Sequence, residues 1–365
     1  MRILHVIPHL WIGNGAAKVL LNLISNQIKA CSSIDVICLV NVKPSLDKEI
    51  KYLGCGLKYL GSCRYNPCLI FKLMKEISKY DIVHVHLFPA FYWVSIAHFL
   101  AKSSAKLVLT EHSTKNNRQK LYFFKYIELF IYRRYDKVVA ISNAVKEQLM
   151  KQRILEKKIE VIYNGINIQN IESANPIDRN ELNIPTDVFL ITQVARFYSQ
   201  KDQATLIRSL KYLPDHFFVL FIGDGVLLQK HIELSKSIGV LDRIRFLGIR
   251  NDVFSILKVS NIVVMSSNFE GFGLTALEGM AAEKPVIASN VPGLSEVVEG
   301  AGLLFPLHDE KELASLIIKL YEDSDYYQII AKSCKDRSLS FDEKIMGSRY
   351  LTVYKKLVYN DKNNG

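Results

Sequence analysis

Thirteen short runs of apolar, largely β-branched residues punctuate this chain, with helical stretches between them. They fall at 3–7, 34–40, 56–60, 82–86, 106–109, 138–141 and 160–162, then at 189–194, 217–222, 245–247, 261–265, 286–288 and 302–305. A strand with one wet face alternates polar and apolar residues, whereas a continuously apolar run needs cover on both faces. Intervening helices supply that cover, and their crossovers make neighbouring strands parallel. Thirteen strands exceed what one twisted open sheet holds comfortably. The pattern therefore predicts an α/β chain of two doubly wound, Rossmann-like domains.

The expected division follows Tyr163-Asn-Gly-Ile-Asn167. Residues 1–168 form the first domain, 169–187 a polar linker holding Pro176 and Pro185, 188–340 the second domain, and 341–365 a terminal helical segment. Ligands of such sheets bind beyond the carboxyl ends of strands, so two facing domains imply a cleft. The segment between Asp81 and Lys102 lacks charge when its histidines are neutral, and it is long enough to suggest a membrane span. His84, His86 and His98 interrupt it and Pro89 marks a strand-to-helix handover, so a buried strand and a core helix are expected.

Charge is split along the chain. Residues 1–168 carry 25 Lys and Arg against 11 Asp and Glu, a net of +14; the remainder carries 22 against 25. Only the first half is thus suited to a polyanionic surface. The six cysteines form no CxxC pair and read as reduced thiols. The opening apolar run is too short for a signal peptide and reads as a buried strand, which suits a cytoplasmic protein.

The stretch Glu270-Gly-Phe-Gly-Leu-Thr-Ala-Leu-Glu278 carries the chemistry. It follows an apolar run and opens a helix through a glycine turn, so backbone N–H groups and a positive dipole end meet an anion there. Carboxylates repel phosphate but accept hydrogen bonds from hydroxyls, and phosphate flanked by hydroxyls describes a nucleotide sugar. Thr275-Ala-Leu-Glu278 also fits a capping box, which would explain Glu278 without a ligand. Arg196 and Lys201 follow the run at 189–194 and can clamp a diphosphate.

Gly13 and Gly15, after the first run, and Gly223, after the run at 217–222, let backbone approach a phosphate closely. Lys18 stands where a dinucleotide fingerprint would carry its third glycine, which argues against a nicotinamide dehydrogenase. His84 and His86 share one strand face, and Glu111 and His112 end the next strand. Their spacing matches no familiar metal pattern, so they are expected to meet an acceptor, with a satisfied core histidine as the plain alternative. Residues 115–137 mix seven basic with seven aromatic side chains, suiting either an anionic membrane interface or an amphipathic helix with its aromatics in the core. Asp323-Ser-Asp325 is expected at the surface.

Together these residues resemble the retaining glycosyltransferases of family 4, with the two-domain GT-B fold. The resemblance rests on the Gly13–Gly15 loop, Val138–Ser142, Val161–Asn167, Arg196 with Lys201, Gly223–Gly225, Phe246-Leu-Gly248, Glu270 with Glu278, and Gly293-x-x-Glu296. It implies a nucleotide diphosphate sugar on the second domain and an acceptor on the first. Arg196 and Lys201 would contact the diphosphate, Glu270 the sugar hydroxyls, and the Phe272, Gly273, Leu274 and Thr275 backbone both sugar and phosphate. Glu278 would take the ribose, Ile249 and Arg250 would lie near the base, and His112 would lie by the reacting carbon. His84, His86 and Glu111 would line the acceptor side, and the last helix would return to the first domain. Such enzymes need no metal or other cofactor. Ala17 replaces the acidic residue common in the family's first loop, which leaves the acceptor contacts there open.

The resemblance and the charge split lead to an expected UDP-hexose donor, or GDP-mannose, and a lipid-linked saccharide acceptor in surface polysaccharide synthesis. Peripheral attachment to the anionic inner face of the cytoplasmic membrane follows from the basic half. Rival readings are a UDP-sugar epimerase of the same fold, a non-catalytic sugar-nucleotide sensor, and a nucleic-acid binder. The last lacks any recognised nucleic-acid motif, so no nucleic-acid partner is expected.

Overall fold

The computed structural model describes residues 1–114 and 122–359. They form two compact units, Met1–Gly165 with Glu343–Gly365, and Ile166–Asp342. The stretch 169–187 lies within the second unit, which also holds the helix Ile168–Glu172 and a 3-10 turn at Arg179–Leu182.

The first unit is built on β1 (Arg2–Ile7), β2 (Ser33–Val40), β3 (Gly56–Gly61), β4 (Ile82–His86), β5 (Lys106–Glu111), β6 (Lys137–Ala140) and β7 (Ile159–Val161). Their order is β3-β2-β1-β4-β5-β6-β7, and every neighbouring pair is parallel. The second unit holds β8 (Phe189–Val194), β9 (Phe217–Ile222), β10 (Ile244–Phe246), β11 (Ile262–Met265), β12 (Val286–Ser289) and β13 (Leu303–Phe305). Their order is β10-β9-β8-β11-β12-β13, again all parallel. Each sheet winds outward from its first strand and then reverses. The reversals lie between β1 and β4 and between β8 and β11, where loops diverge and leave room for a ligand.

Continuous apolar strands become buried ones, as parallel sheets require: β4, β9, β11 and β12 are buried at every position. The uncharged segment after Asp81 resolves into β4 and the helix Ala90–Leu100, whose Ala90, Phe91, Val94 and Ala97 enter the core. Among the described residues no helix is long and apolar enough to cross a membrane.

The helix Glu343–Tyr359 belongs to the first unit. Gly347 permits its approach to the helix Gly15–Gln27, because a Cβ there would lie 2.7 Å from the Cβ of Asn26. Two tyrosines bind it to the sheet. The Tyr350 hydroxyl lies 2.9 Å from Thr110 Oγ1, and the Tyr354 hydroxyl lies 2.6 Å from His84 Nδ1.

Candidate functional site

In the second unit the loops after β8 and β11 converge at the sheet's reversal. Gln200 donates to the Phe269 carbonyl at 3.0 Å, Asn268 N–H reaches the Gln200 carbonyl at 2.7 Å, and the Asn268 side chain reaches the Ser199 carbonyl at 2.6 Å. This lacing brings the Lys201 ammonium onto the Glu270 carboxylate, so a cation from one loop and an anion from the other meet across the reversal. Ser267 Oγ donates to the same carboxylate oxygen at 2.8 Å, and Ser289 Oγ anchors the Ser267 carbonyl at 2.6 Å. Glu270 is 7% exposed, so these partners take the place of water around the carboxylate.

The Arg196 guanidinium stacks over the Tyr198 ring, 5.0 Å from its centroid. The loop after β9 is stitched to the same place. Phe197 N–H bonds the Asp224 carbonyl at 3.0 Å, and Gly223 N–H bonds the Gly248 carbonyl at 2.7 Å. Only glycine fits at position 223, where φ is +136° and a Cβ would stand 2.1 Å from the Ala195 carbonyl oxygen. The backbone after β8 and the backbone after β9 thereby touch. Ile249, beyond Gly248, is exposed, and Arg250 pairs with Asp252 through two bonds of 2.8 and 2.5 Å.

The helix Leu274–Ala281 starts beside this constellation. Its N-cap is Gly273, with φ +109° and no side-chain cap bond. The capping-box alternative is therefore overturned: Thr275 is the helix's second residue, too far in to cap it. Glu278 lies in the middle of the helix and is 9% exposed. The first-turn N–H groups follow a glycine rather than a capping side chain, the local condition for receiving an anion.

In the first unit Asn14 caps the helix Gly15–Gln27, its Oδ1 accepting from Ala16 N–H at 3.1 Å, with Gly13 and Gly15 on either side. Glu111 Oε2 accepts from the Tyr132 hydroxyl at 2.6 Å, and Oε1 accepts from His112 N–H at 3.2 Å. His84 and His86, expected on the acceptor side, are enclosed at 0% and 1% exposure. His84 is spanned by Thr110 at 2.7 Å and Tyr354 at 2.6 Å, so it is a satisfied core histidine with no path to an acceptor. His86 stands between His5 and His112, with Nε2 3.2 Å from His5 Nδ1 and Nδ1 3.5 Å from His112 Nε2.

Burial disfavours the charged form of all four rings. It lowers His5 to about 3 and His112 to about 4, and it holds His84 and His86 well below the usual imidazole range, with repulsion from neighbouring histidines adding to it. Ligand atoms of His5, His84 and His86 lie within 4.8 Å of one another, yet both nitrogens of His84 and of His86, and Nδ1 of His5, already face hydrogen-bond partners. That is the pattern of a polar network rather than of lone pairs held open for a metal.

Part of the 115–137 segment, residues 115–121, lies outside the described residues. The remainder divides between the two readings. Tyr132 and Tyr135 are buried, whereas Tyr126 and Phe130 are more than half exposed. Asp323 caps the helix Ser324–Leu339 by accepting from Tyr326 N–H at 2.8 Å. Ser267, Tyr198 and His5 escaped the sequence reading. Ser267 precedes Glu270 by three residues in a polar Ser266-Ser267-Asn268 run after β11, a signal within reach. His5 meets His86 from 81 positions away, and no local pattern announces that.

The solved structure of the Anabaena protein HepE in complex with UDP superposes on this chain with a TM-score of 0.85 at 21% identity, covering 98% of this chain and 100% of that one. Together with the two parallel sheets, that likeness defines the architecture as GT-B. Residues 13–170 match the family model for Glycosyltransferase Family 4, and residues 174–337 match that for Glycosyl transferases group 1. The UDP-Gal:alpha-D-GlcNAc-diphosphoundecaprenol alpha-1,3-galactosyltransferase of Escherichia coli is 30% identical over 286 residues, 73% of each chain. An uncharacterized glycosyltransferase of Methanocaldococcus jannaschii is 32% identical over 314 residues, 83% of this chain and 82% of its own. The chain belongs to the family 4, group 1 glycosyltransferases, and it is a sugar-transferring enzyme.

Proposed function

We propose that the enzyme moves a hexose from a nucleotide diphosphate sugar to a lipid-linked saccharide, retaining the anomeric configuration. UDP-hexose is the preferred donor and GDP-mannose the alternative. The observation that carries this reading is the Lys201–Glu270 pair at the reversal of the second sheet, beside a helix start with no side-chain cap. The names of the relatives point the same way. The Escherichia coli enzyme's name gives a UDP-Gal donor and a diphosphoundecaprenol-linked acceptor, and the Anabaena structure holds UDP.

In this reading Lys201 and Arg196 bind the diphosphate, and the Phe272, Gly273, Leu274 and Thr275 backbone meets phosphate and sugar. Glu270 accepts from sugar hydroxyls, Glu278 from the ribose, and Ile249 and Arg250 flank the base. An ammonium has three donors, so Lys201 can keep Glu270 and still reach a phosphate oxygen. Charge grows on the diphosphate as the anomeric C–O bond breaks, and fixed cations and amide dipoles stabilise it without reorganising. The leaving phosphate oxygen takes the acceptor's proton on the same face, so these residues need no metal to assist them.

The test is incubation of the purified protein with UDP-glucose, UDP-galactose or GDP-mannose, with and without GlcNAc-diphosphoundecaprenol. Anomeric configuration is then read by NMR. An α-linked product formed only with acceptor supports the proposal. An inverted linkage, a donor altered without acceptor, or no product from any pairing overturns it.

A further inference from the structure

The first unit's sheet reversal holds more chemistry than donor binding uses. β1 carries His5 and β4 carries His86, on adjacent strands, while His112 follows the end of β5. Their rings form a line: His5 Nδ1 to His86 Nε2 at 3.2 Å, then His86 Nδ1 to His112 Nε2 at 3.5 Å. The line ends inside the protein at His5 Nε2, which is buried and has no hydrogen-bond partner among the described residues.

That orphaned atom gives the line a direction. A neutral imidazole has one N–H and one lone pair, so each bond in the row decides the next. A buried N–H without an acceptor is rarer in folded proteins than an under-used acceptor. His5 therefore carries its proton on Nδ1 and leaves the lone pair at Nε2. Its N–H donates to His86 Nε2, which puts the His86 proton on Nδ1. That proton is donated to His112 Nε2, so His112 is protonated on Nδ1, the nitrogen on the opposite side of its ring.

We propose that His5 and His86 are positioning residues that fix His112 as the Nδ1–H tautomer, so that it presents a hydrogen-bond donor, not a base, to the transferred sugar. The role at the sugar rests on the proposed function together with the family resemblance, which implies that His112 lies by the reacting carbon. The tautomer itself rests only on the hydrogen-bonded row. Desolvation favours the same state, because it keeps all three rings neutral and a doubly protonated ring would break the row. A donor fixed at Nδ1 holds a sugar oxygen and offers no lone pair to the attacking hydroxyl, which leaves proton removal to the departing phosphate.

The tautomer is measurable in the free protein. In a sample labelled with 15N-histidine, long-range 1H–15N correlation separates protonated from unprotonated ring nitrogens, and His112→Gln assigns the resonance. At pH 7 a neutral His112 with bare Nε2 and protonated Nδ1 is expected. The reverse tautomer, or an imidazolium, overturns the proposal whether or not transfer is ever detected.

Kinetics supply the second arm. Asn places its amide where the His86 Nδ1–H sits, whereas Phe fills the space without a donor. His86→Phe should lower kcat about ten-fold or more with donor KM little changed, as expected when a catalytic ring adopts the wrong tautomer. His86→Asn should recover most of that loss. Equal rates for the two variants, both folded by circular dichroism, would overturn the proposal. Absence of transfer from every donor by the parent enzyme would instead sink the functional reading and leave the tautomer result standing.

Discussion

The Lys201 ammonium rests on the Glu270 carboxylate, and Ser267 supports the same oxygen. Under the proposed reading a donor diphosphate shares this cation, so Lys201→Ala removes both a phosphate partner and the neutraliser of a carboxylate that is 7% exposed. Loss of one preorganised partner for a leaving oxyanion raises the barrier by about 2–4 kcal/mol, roughly thirty- to a thousand-fold in kcat. Single-turnover assays read the first effect and urea midpoints the second. Unchanged turnover would remove Lys201 from the mechanism. Position 223 tests the geometry rather than the charge. Its left-handed φ and the 2.1 Å approach to the Ala195 carbonyl predict that Gly223→Ala destabilises the protein by about 2 kcal/mol or more. An alanine variant with the parent's urea midpoint would mean that the two loops part easily.

Element by element, sequence order translates into sheets because parallel strands are dry on both faces and therefore read as unbroken apolar runs. All thirteen runs become strands, although β5 continues to Glu111, two residues beyond its expected end. The positions of Lys201, Arg196 and Glu270 just beyond strand ends were legible for the same reason. The glycine turn that opens the helix was legible too, but how the helix begins without a capping side chain was not. Thr275 and Glu278 have capping-box spacing, but a glycine at φ +109° caps the helix two residues earlier, and backbone angle leaves no mark in spacing. His84 and His86 misled because a two-residue period fixes a shared face without saying what covers it. Here the cover is the helix Glu343–Tyr359, about 270 residues away in sequence, whose Tyr354 engages His84. Buried His5 and half-buried His112 also set an acid sensitivity. His5 falls from 6.5 to about 3 and His112 to about 4 on burial, so between these values the unfolded chain binds protons that the folded one refuses. Stability is thus fully present above pH 6.5 and is lost as pH falls towards 4, by up to about 1.4 kcal/mol per pH unit for each histidine. Urea midpoints at pH 7.5 and 5.0 should differ accordingly, and His5→Gln should flatten the dependence. A parent protein equally stable at both would contradict the buried neutral rings.

Across the described residues, the excess positive charge and the aromatic rings that are at least half exposed fall on the same unit. Residues 1–168 hold the net +14, and in that unit Phe99, Leu100, Tyr126 and Phe130 are each at least half exposed. The Arg134 guanidinium lies 4.5 Å from the Phe99 ring centroid and 6.0 Å from that of Phe130, which draws a cation and two aromatic rings into one patch. Exposed aromatic rings beside basic side chains suit the boundary between anionic headgroups and acyl chains. We propose on this basis that the first unit holds the enzyme to an anionic leaflet, where a lipid-linked acceptor would reside. The two contributions separate by salt. Attraction between the basic surface and anionic lipid is worth about 1 kcal/mol per cation near the surface and fades as the Debye length falls from about 10 Å at 0.1 M to about 3 Å at 1 M. Aromatic insertion does not fade. In flotation with phosphatidylglycerol vesicles, binding should weaken strongly between those salts, and Arg134→Gln should lower it mainly at low salt. Phe99→Ser with Phe130→Ser should lower it at both. Equal flotation with phosphatidylcholine vesicles would refute the electrostatic part, and an unaltered double serine variant would refute the patch.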